Sequence, residues 1–148
     1  MSDVSENKRQ IMAAYSKYYC DLNSDNVDDL FDLVTDDFEF TDPFTKKHGP
    51  KNVCAYLSKT FSETKNPNFV VTHQALDGDL GFLRWRFSAK LKVIGLWEFT
   101  GMTALTFNED GTKIASHVDH WDASQNFYAK IPVLGCIIRL LARRVAAV

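Results

Sequence analysis

A chain of 148 residues with 45% hydrophobic and 24% charged content suffices for one core with a ligand-sized cavity, in an ordinary soluble globular class. Its formal net charge of -2 conceals an asymmetry: nine of the nineteen acidic residues lie between Asp21 and Asp42, whereas Arg139, Arg143 and Arg144 gather at the other end. The basic residues make no extended stripe interleaved with stacking aromatics, which argues against nucleic acid, and Cys20, Cys54 and Cys136 are too few and too dispersed for a disulfide framework or thiolate metal cluster.

From Ser5 to about Asn23, apolar residues recur at steps of three and four (Ile11, Ala14, Tyr15, Tyr18, Tyr19, Leu22), which predicts one helix with a buried stripe. Asn23 to Asn26 breaks the pattern. A short second helix follows on Val27, Leu30, Phe31 and Val34, with Asp25 or Asn26 placed to cap it and Asp28 and Asp29 in its first turn. In TDDFEFTDPF, Thr35 to Phe44, Phe38 and Phe40 alternate with Glu39 and Thr41 as in a brief strand, and Pro43 biases Asp42 away from helix. Asp42 is either a turn cap or a carboxylate held in a pocket. Pro50 is suited to open a third helix through Phe61, buried along Val53, Tyr56, Leu57 and Phe61.

Beyond Asn66 the period changes to two. Phe69 to Leu76 reads as a strand closed by a turn at Asp77-Gly78-Asp79; Leu83 to Val93 sets Trp85, Phe87, Ala89, Leu91 and Val93 against Arg84, Arg86, Ser88, Lys90 and Lys92. After Gly95, residues Trp97, Phe99, Gly101, Thr103, Leu105 and Phe107 share one face of a long strand. Asn108-Glu109-Asp110-Gly111 is another turn, and Ile114 to Asp122 the last long strand, with Ala115, His117, Asp119 and Trp121 together by period. A mostly antiparallel sheet with one apolar face needs a cover, and the three helices supply it, an α+β layering in a single domain spanning 1–148. Residues 123–148, divided by Pro132 and Gly135, form a helical extension of that domain. It is read as closing over the sheet or meeting a second subunit, with an interfacial helix on an anionic membrane as the lesser alternative.

The segment is interrupted by Arg139 and too short to span a bilayer, so stable membrane insertion is not expected, and the first ten residues lack the apolar run of a secretory signal. These features, with three cysteines expected as buried thiols, suggest a cytoplasmic protein. His48, His73, His117 and His120 show no ligand spacing, and no glycine-rich phosphate loop is present, so neither metal nor cofactor is expected. What remains is a set of polar groups whose pattern positions point inward among aromatics: Tyr18, Asp42, Thr103, His117 and Asp119. Buried polar groups require partners, so such a cluster implies an internal network or a ligand.

The run from Tyr18 to TDDFEFTDPF resembles the first half of ketosteroid isomerases and, more broadly, the nuclear transport factor 2-like or SnoaL-like superfamily. The resemblance implies a cone-shaped fold, three N-terminal helices packed on a strongly curved mostly antiparallel sheet around a pocket, with an additional C-terminal helix. It also implies roles. In ketosteroid isomerases, whose tuned carboxyl groups are a well-known case, the aspartate before this proline is the general base, as Asp42 would be here, and a first-helix tyrosine at the spacing of Tyr18 holds the substrate oxyanion. A protonated aspartate of that family falls at Thr103, which can donate one hydrogen bond but is not an acid; Asp119, beside His117, could take over a polar role. Trp85, Phe87, Phe99 and Trp121 would complete the pocket with His117.

Two functions follow as expectations. One is an isomerase or lyase in which a carboxylate abstracts a proton from a small hydrophobic carbonyl compound; the other is a non-catalytic binding module for a small hydrophobic, lipid or terpenoid-like ligand. A homodimer is expected in either case.

Overall fold

The computed structural model describes residues 2–147, arranged as helices laid against one six-stranded sheet. Helix α1 (Ser2–Asp21) is followed by a 3-10 turn (Val27–Asp29), a single α-helical turn α2 (Leu30–Leu33), strands β1 (Val34–Thr41) and β2 (Lys46–His48), and helix α3 (Pro50–Glu63). Strands β3 (Lys65–Asp77), β4 (Leu80–Leu91), β5 (Gly95–Phe107) and β6 (Ile114–His120) come next, then α4 (Ala123–Asn126), a second 3-10 turn (Tyr128–Lys130) and helix α5 (Leu134–Ala146). The sheet order is β2-β1-β6-β5-β4-β3, antiparallel throughout except for the β1–β6 pair. That parallel pair brings the Asp42 corner next to the two inward-facing polar residues of β6, because Phe40 lies opposite His117.

Alternation along β4 and β5 determines which face is core. Trp85, Phe87, Phe99 and Leu105 are buried while Arg84, Arg86 and Lys90 are exposed, as the period of two requires. Each large side chain so buried contributes about 1.5–3 kcal/mol relative to exposure. Gly78 and Gly111 adopt φ of 58° and 72° in the β3–β4 and β5–β6 turns, a region that glycine enters without Cβ strain.

Four local expectations are corrected. Asn26 makes no side-chain cap on the second helix; its amide serves the end of α1, donating to Asp21 O at 2.9 Å while its Oδ1 accepts from Asn23 N–H at 2.8 Å. Val93 leaves the alternation because β4 stops at Leu91, and it stands 72% exposed in the turn. Ala115 is the extra residue of a β-bulge, since Ser116 faces Thr106 and Ile114 faces Phe107; the slip puts Ile114 in the core instead. Of the thiols, only Cys54 is buried; Cys20 and Cys136 are exposed.

Helix α5 also departs from a lid over the sheet. It packs against the preceding 3-10 turn, and Gly135 is its only buried residue, so the apolar row Ile137, Leu140, Leu141 and Val145 lies in the open. Among the described residues, no helix is long and apolar enough to cross a membrane.

Candidate active site

A deep cavity of about 1270 Å³ opens between the inner face of the sheet, α3 and the segment after β6. Its wall is aromatic and aliphatic, with Phe40, Trp85, Phe87, Phe99, Trp121 and Phe127 among the lining side chains. Convergent polar groups in an apolar concavity are the usual makeup of a small-molecule site. Here those groups form two clusters, one at the Asp42 corner and one on β5 and β6.

Asp42 stands just beyond β1, where Pro43 stops the strand, and its carboxylate lines the cavity with three donors on it. Oδ1 accepts the backbone N–H groups of Phe44 and Thr45 at 2.8 and 2.9 Å, closing a tight turn, and Oδ2 accepts the Tyr56 hydroxyl at 2.6 Å. Both sequence-level readings of Asp42 therefore meet in one residue: it caps the turn and also faces the cavity. Burial, reinforced by the Asp42 bond, pushes the Tyr56 phenol far above its ordinary range and keeps it a proton donor.

The second cluster is longer. Thr103 and Asp119 are cross-strand partners, and Asp119 and His117 share a face of β6. Trp85 Nε1–H donates to Thr103 Oγ1 at 2.8 Å, Thr103 donates to Asp119 Oδ1 at 2.5 Å, and His117 Nε2 bonds the same oxygen at 2.7 Å. On the other side of the ring, His117 Nδ1 lies 2.7 Å from the Tyr15 hydroxyl, which in turn lies 3.4 Å from that of Tyr19. A carboxylate only accepts, so Nε2 carries the hydrogen of the His117–Asp119 bond; in the neutral ring Nδ1 then accepts from Tyr15. Burial raises the Tyr15 and Tyr19 phenols well above their ordinary range, which suits them to donate along this chain. Phe40 stacks on the His117 ring with centroids 4.6 Å apart and fixes its plane.

The site thus brings together Asp42, Thr103, His117 and Asp119 with Trp85, Phe87, Phe99 and Trp121 on one cavity wall. Tyr18 is not part of that wall. Its hydroxyl donates to Val27 O at 2.8 Å and ties α1 to the 3-10 turn. Tyr15 and Tyr19 are one helical turn apart and face the sheet, and Tyr18 is rotated about 100° from Tyr19 around the helix. All three belong to the same apolar stripe, so sequence spacing alone gave no ground for choosing among them; a hydroxyl's partner is a tertiary fact. Thr103 uses its single hydrogen on Asp119, so its hydroxyl has none left for a ligand oxygen. Tyr15, Tyr19 and Tyr56 are site residues that sequence reading did not single out. Among the described residues, no group of three or more histidine, cysteine or acidic side chains could hold a metal ion.

The arrangement is that of known cone-shaped domains. A protein of ketosteroid isomerase-like fold from Catenulispora acidiphila, solved in complex with trimethylamine, aligns with a TM-score of 0.69 at 17% identity over 82% of this chain and 93% of its own. A candidate SnoaL-like polyketide cyclase from Shewanella denitrificans gives 0.64 at 19% identity, over 80% and 92%. A candidate isomerase of the SnoaL-like family from Agrobacterium tumefaciens gives 0.62 at 14%, over 79% and 98%. No curated protein matches the chain in sequence. At these identities the solved structures establish the fold, whereas the sequence model of the SnoaL-like domain matches residues 15–117, from Tyr15 through His117, and the chain belongs to that family.

Proposed function

We propose that this SnoaL-like protein is an enzyme that removes a proton from the carbon next to a carbonyl in a small hydrophobic molecule, with Asp119 as the base. One observation supports this reading above the others. Asp119 Oδ1 is anchored by His117 and Thr103, while Oδ2 has no protein partner among the described residues and belongs to a side chain lining an apolar cavity. A carboxylate held on one oxygen and open on the other is placed to accept a proton from a bound carbon acid. The C–H electron pair moves into the new C=C bond, the carbonyl pair moves onto oxygen, and the proton arrives on Oδ2. Tyr19 lines the same cavity, and its hydroxyl hydrogen rests on the Tyr15 oxygen at a long 3.4 Å, a weak contact that it exchanges for the developing enolate oxygen. Return of the proton to another carbon gives isomerisation, and attack of the enolate on a second carbonyl gives cyclisation.

Asp42, the base implied by resemblance to ketosteroid isomerases, has both oxygens engaged by three donors and serves in this reading as the rim cap. The test is solvent-deuterium exchange into ethyl benzoylacetate, an aromatic β-keto ester with an acidic α-carbon, compared for wild type, Asp119→Asn and Asp42→Asn. Asp119→Asn should lower exchange by about 10² or more with little change in binding. Exchange lost only in Asp42→Asn would transfer the base to Asp42. Binding without exchange in the wild type would favour the binding module, a reading supported by the internal pairing of Thr103, His117 and Tyr15.

Two copies would pair through the outer face of the sheet, where Val70 and Met102 remain exposed. Light scattering that finds only a 16.8 kDa species at micromolar concentration would remove the dimer.

A further inference from the structure

We infer that α5 is a membrane-surface helix that seats the domain reversibly on an anionic bilayer. Its apolar side consists of Ile137, Leu141 and Val145, which are 51%, 54% and 86% exposed, together with Leu134; at 100° per residue these positions form one stripe. Arg139 and Arg143 lie on the opposite side and Arg144 at the flank. Residues 123–148 contain four basic and no acidic side chains, in a chain whose overall balance is -2. This is the makeup of a helix that lies in a headgroup layer, aliphatic side down, with Arg143 and Arg144 available to lipid phosphates while Arg139 is held on the domain. At 13 residues the helix is about 20 Å long, which is too short to span.

The joint before α5 holds it in the open. Val133 adopts φ 68° and ψ -60°, a strained γ-turn closed by Leu134 N–H donating to Pro132 O at 2.8 Å. Gly135 lies so close to the 3-10 turn that a Cβ there would meet Ala129 O at 2.1 Å, and Arg139 Nη1 donates to that same carbonyl at 2.7 Å. A strained, glycine-dependent and hydrogen-bonded corner fixes the direction of a helix whose apolar side touches little of its own chain. Charge makes a second copy the poorer occupant. Isologous pairing of α5 on α5 would oppose arginines with no acid in the segment to offset them.

Phe127, Tyr128 and Ile131 line the cavity immediately before the joint, so a seated α5 brings the cavity wall close to the bilayer. A lipophilic ligand could then enter from the lipid phase. That step rests on the ligand class proposed above, and membrane seating does not.

The test is co-sedimentation of the whole chain with phosphatidylcholine vesicles and with 3:1 phosphatidylcholine–phosphatidylglycerol vesicles, read independently of turnover. Wild type should pellet with the anionic vesicles only, and less at high salt. Arg143→Gln/Arg144→Gln should weaken partitioning about tenfold or more, and Ile137→Glu/Leu141→Glu should abolish it. All four positions are exposed, and unchanged far-UV circular dichroism and melting would show that the variants fold. Absence of wild-type binding to anionic vesicles overturns the proposal, as does equal binding by Ile137→Glu/Leu141→Glu. A dimer that depends on Ile137 and Leu141 in a protein that ignores vesicles would assign the stripe to a second copy.

Discussion

Tyr15 and His117, separated by 102 positions in the chain, meet at 2.7 Å in the buried layer between α1 and the sheet. The contact orients the imidazole that holds Asp119, so the first helix is part of the site's geometry as well as its roof. Tyr15→Phe removes the one donor to His117 Nδ1 among the described residues and leaves a buried nitrogen unpaired, which should cost about 1–3 kcal/mol in urea unfolding. It should also lower α-proton exchange by loosening His117. Tyr18→Phe is the control, because the Val27 carbonyl keeps the Cys54 thiol and the Leu30 N–H as donors; it should destabilise by about 1 kcal/mol or less while leaving exchange unchanged.

Asp42 should matter to stability more through its shape than through its charge. Asparagine retains a carbonyl oxygen for the Phe44 and Thr45 N–H groups, whereas alanine leaves both without their partner. Asp42→Ala is expected to cost about 1–2 kcal/mol and Asp42→Asn less than half of that, measured by chemical denaturation. Equal losses in the two would mean that the Tyr56 bond, and not the turn, dominates.

The β-strand part of the architecture was legible because its signal is local. Trp85, Phe87 and Phe99 alternate with Arg84, Arg86 and Glu98, and burial follows that alternation residue by residue. The α1 stripe was equally readable as a helix, but its three tyrosines share one side, and only the placement of β6 decides which hydroxyl meets the site. The bulge at Ala115 was invisible for a related reason, since Ile114 and Ala115 are both apolar and the slip is imposed by pairing with β5. Resemblance pointed by spacing to Asp42, which lines the cavity, and to Tyr18, which does not. The Thr103–Asp119–His117–Tyr15 chain depends on contacts across strands and across 102 positions, which no local period encodes.

Gly101 makes room for the indole that anchors Thr103. A Cβ at this position would lie 2.4 Å from Trp85 Cη2 and 3.1 Å from Trp121 Cβ, neither of which can yield without leaving its packed position. Gly101→Ala should therefore cost about 1–3 kcal/mol by overpacking. It should also break the Trp85–Thr103 bond, and a red shift of tryptophan emission would report the displaced ring. An unshifted spectrum with full stability would contradict the packing of Gly101 against Trp85 and Trp121.

Alkaline pH should unfold the protein in two stages, with a sign set by the direction of its shifts. Burial raises the Cys54 thiol from 9.0 to about 11, and burial raises the phenols of Tyr15, Tyr18, Tyr19 and Tyr56 above 10.0. A group whose folded value is raised keeps its proton in the native state after the unfolded chain has released it. Its stabilisation is complete below the unfolded value and is lost as pH rises through the folded one. Stability should be level up to about pH 9, decline gently as unfolded Cys54 ionises, and fall more steeply above pH 10 as the tyrosines of the unfolded chain follow. Melting temperatures measured from pH 8 to 11 should show the break. Cys54→Ala should remove the gentle decline, and Tyr19→Phe should reduce the slope above pH 10. In a Tyr128→Phe background, which removes the exposed fifth tyrosine, tyrosinate absorbance at 295 nm should rise in step with unfolding; if it develops in the folded protein, the burial assigned to these four phenols is wrong.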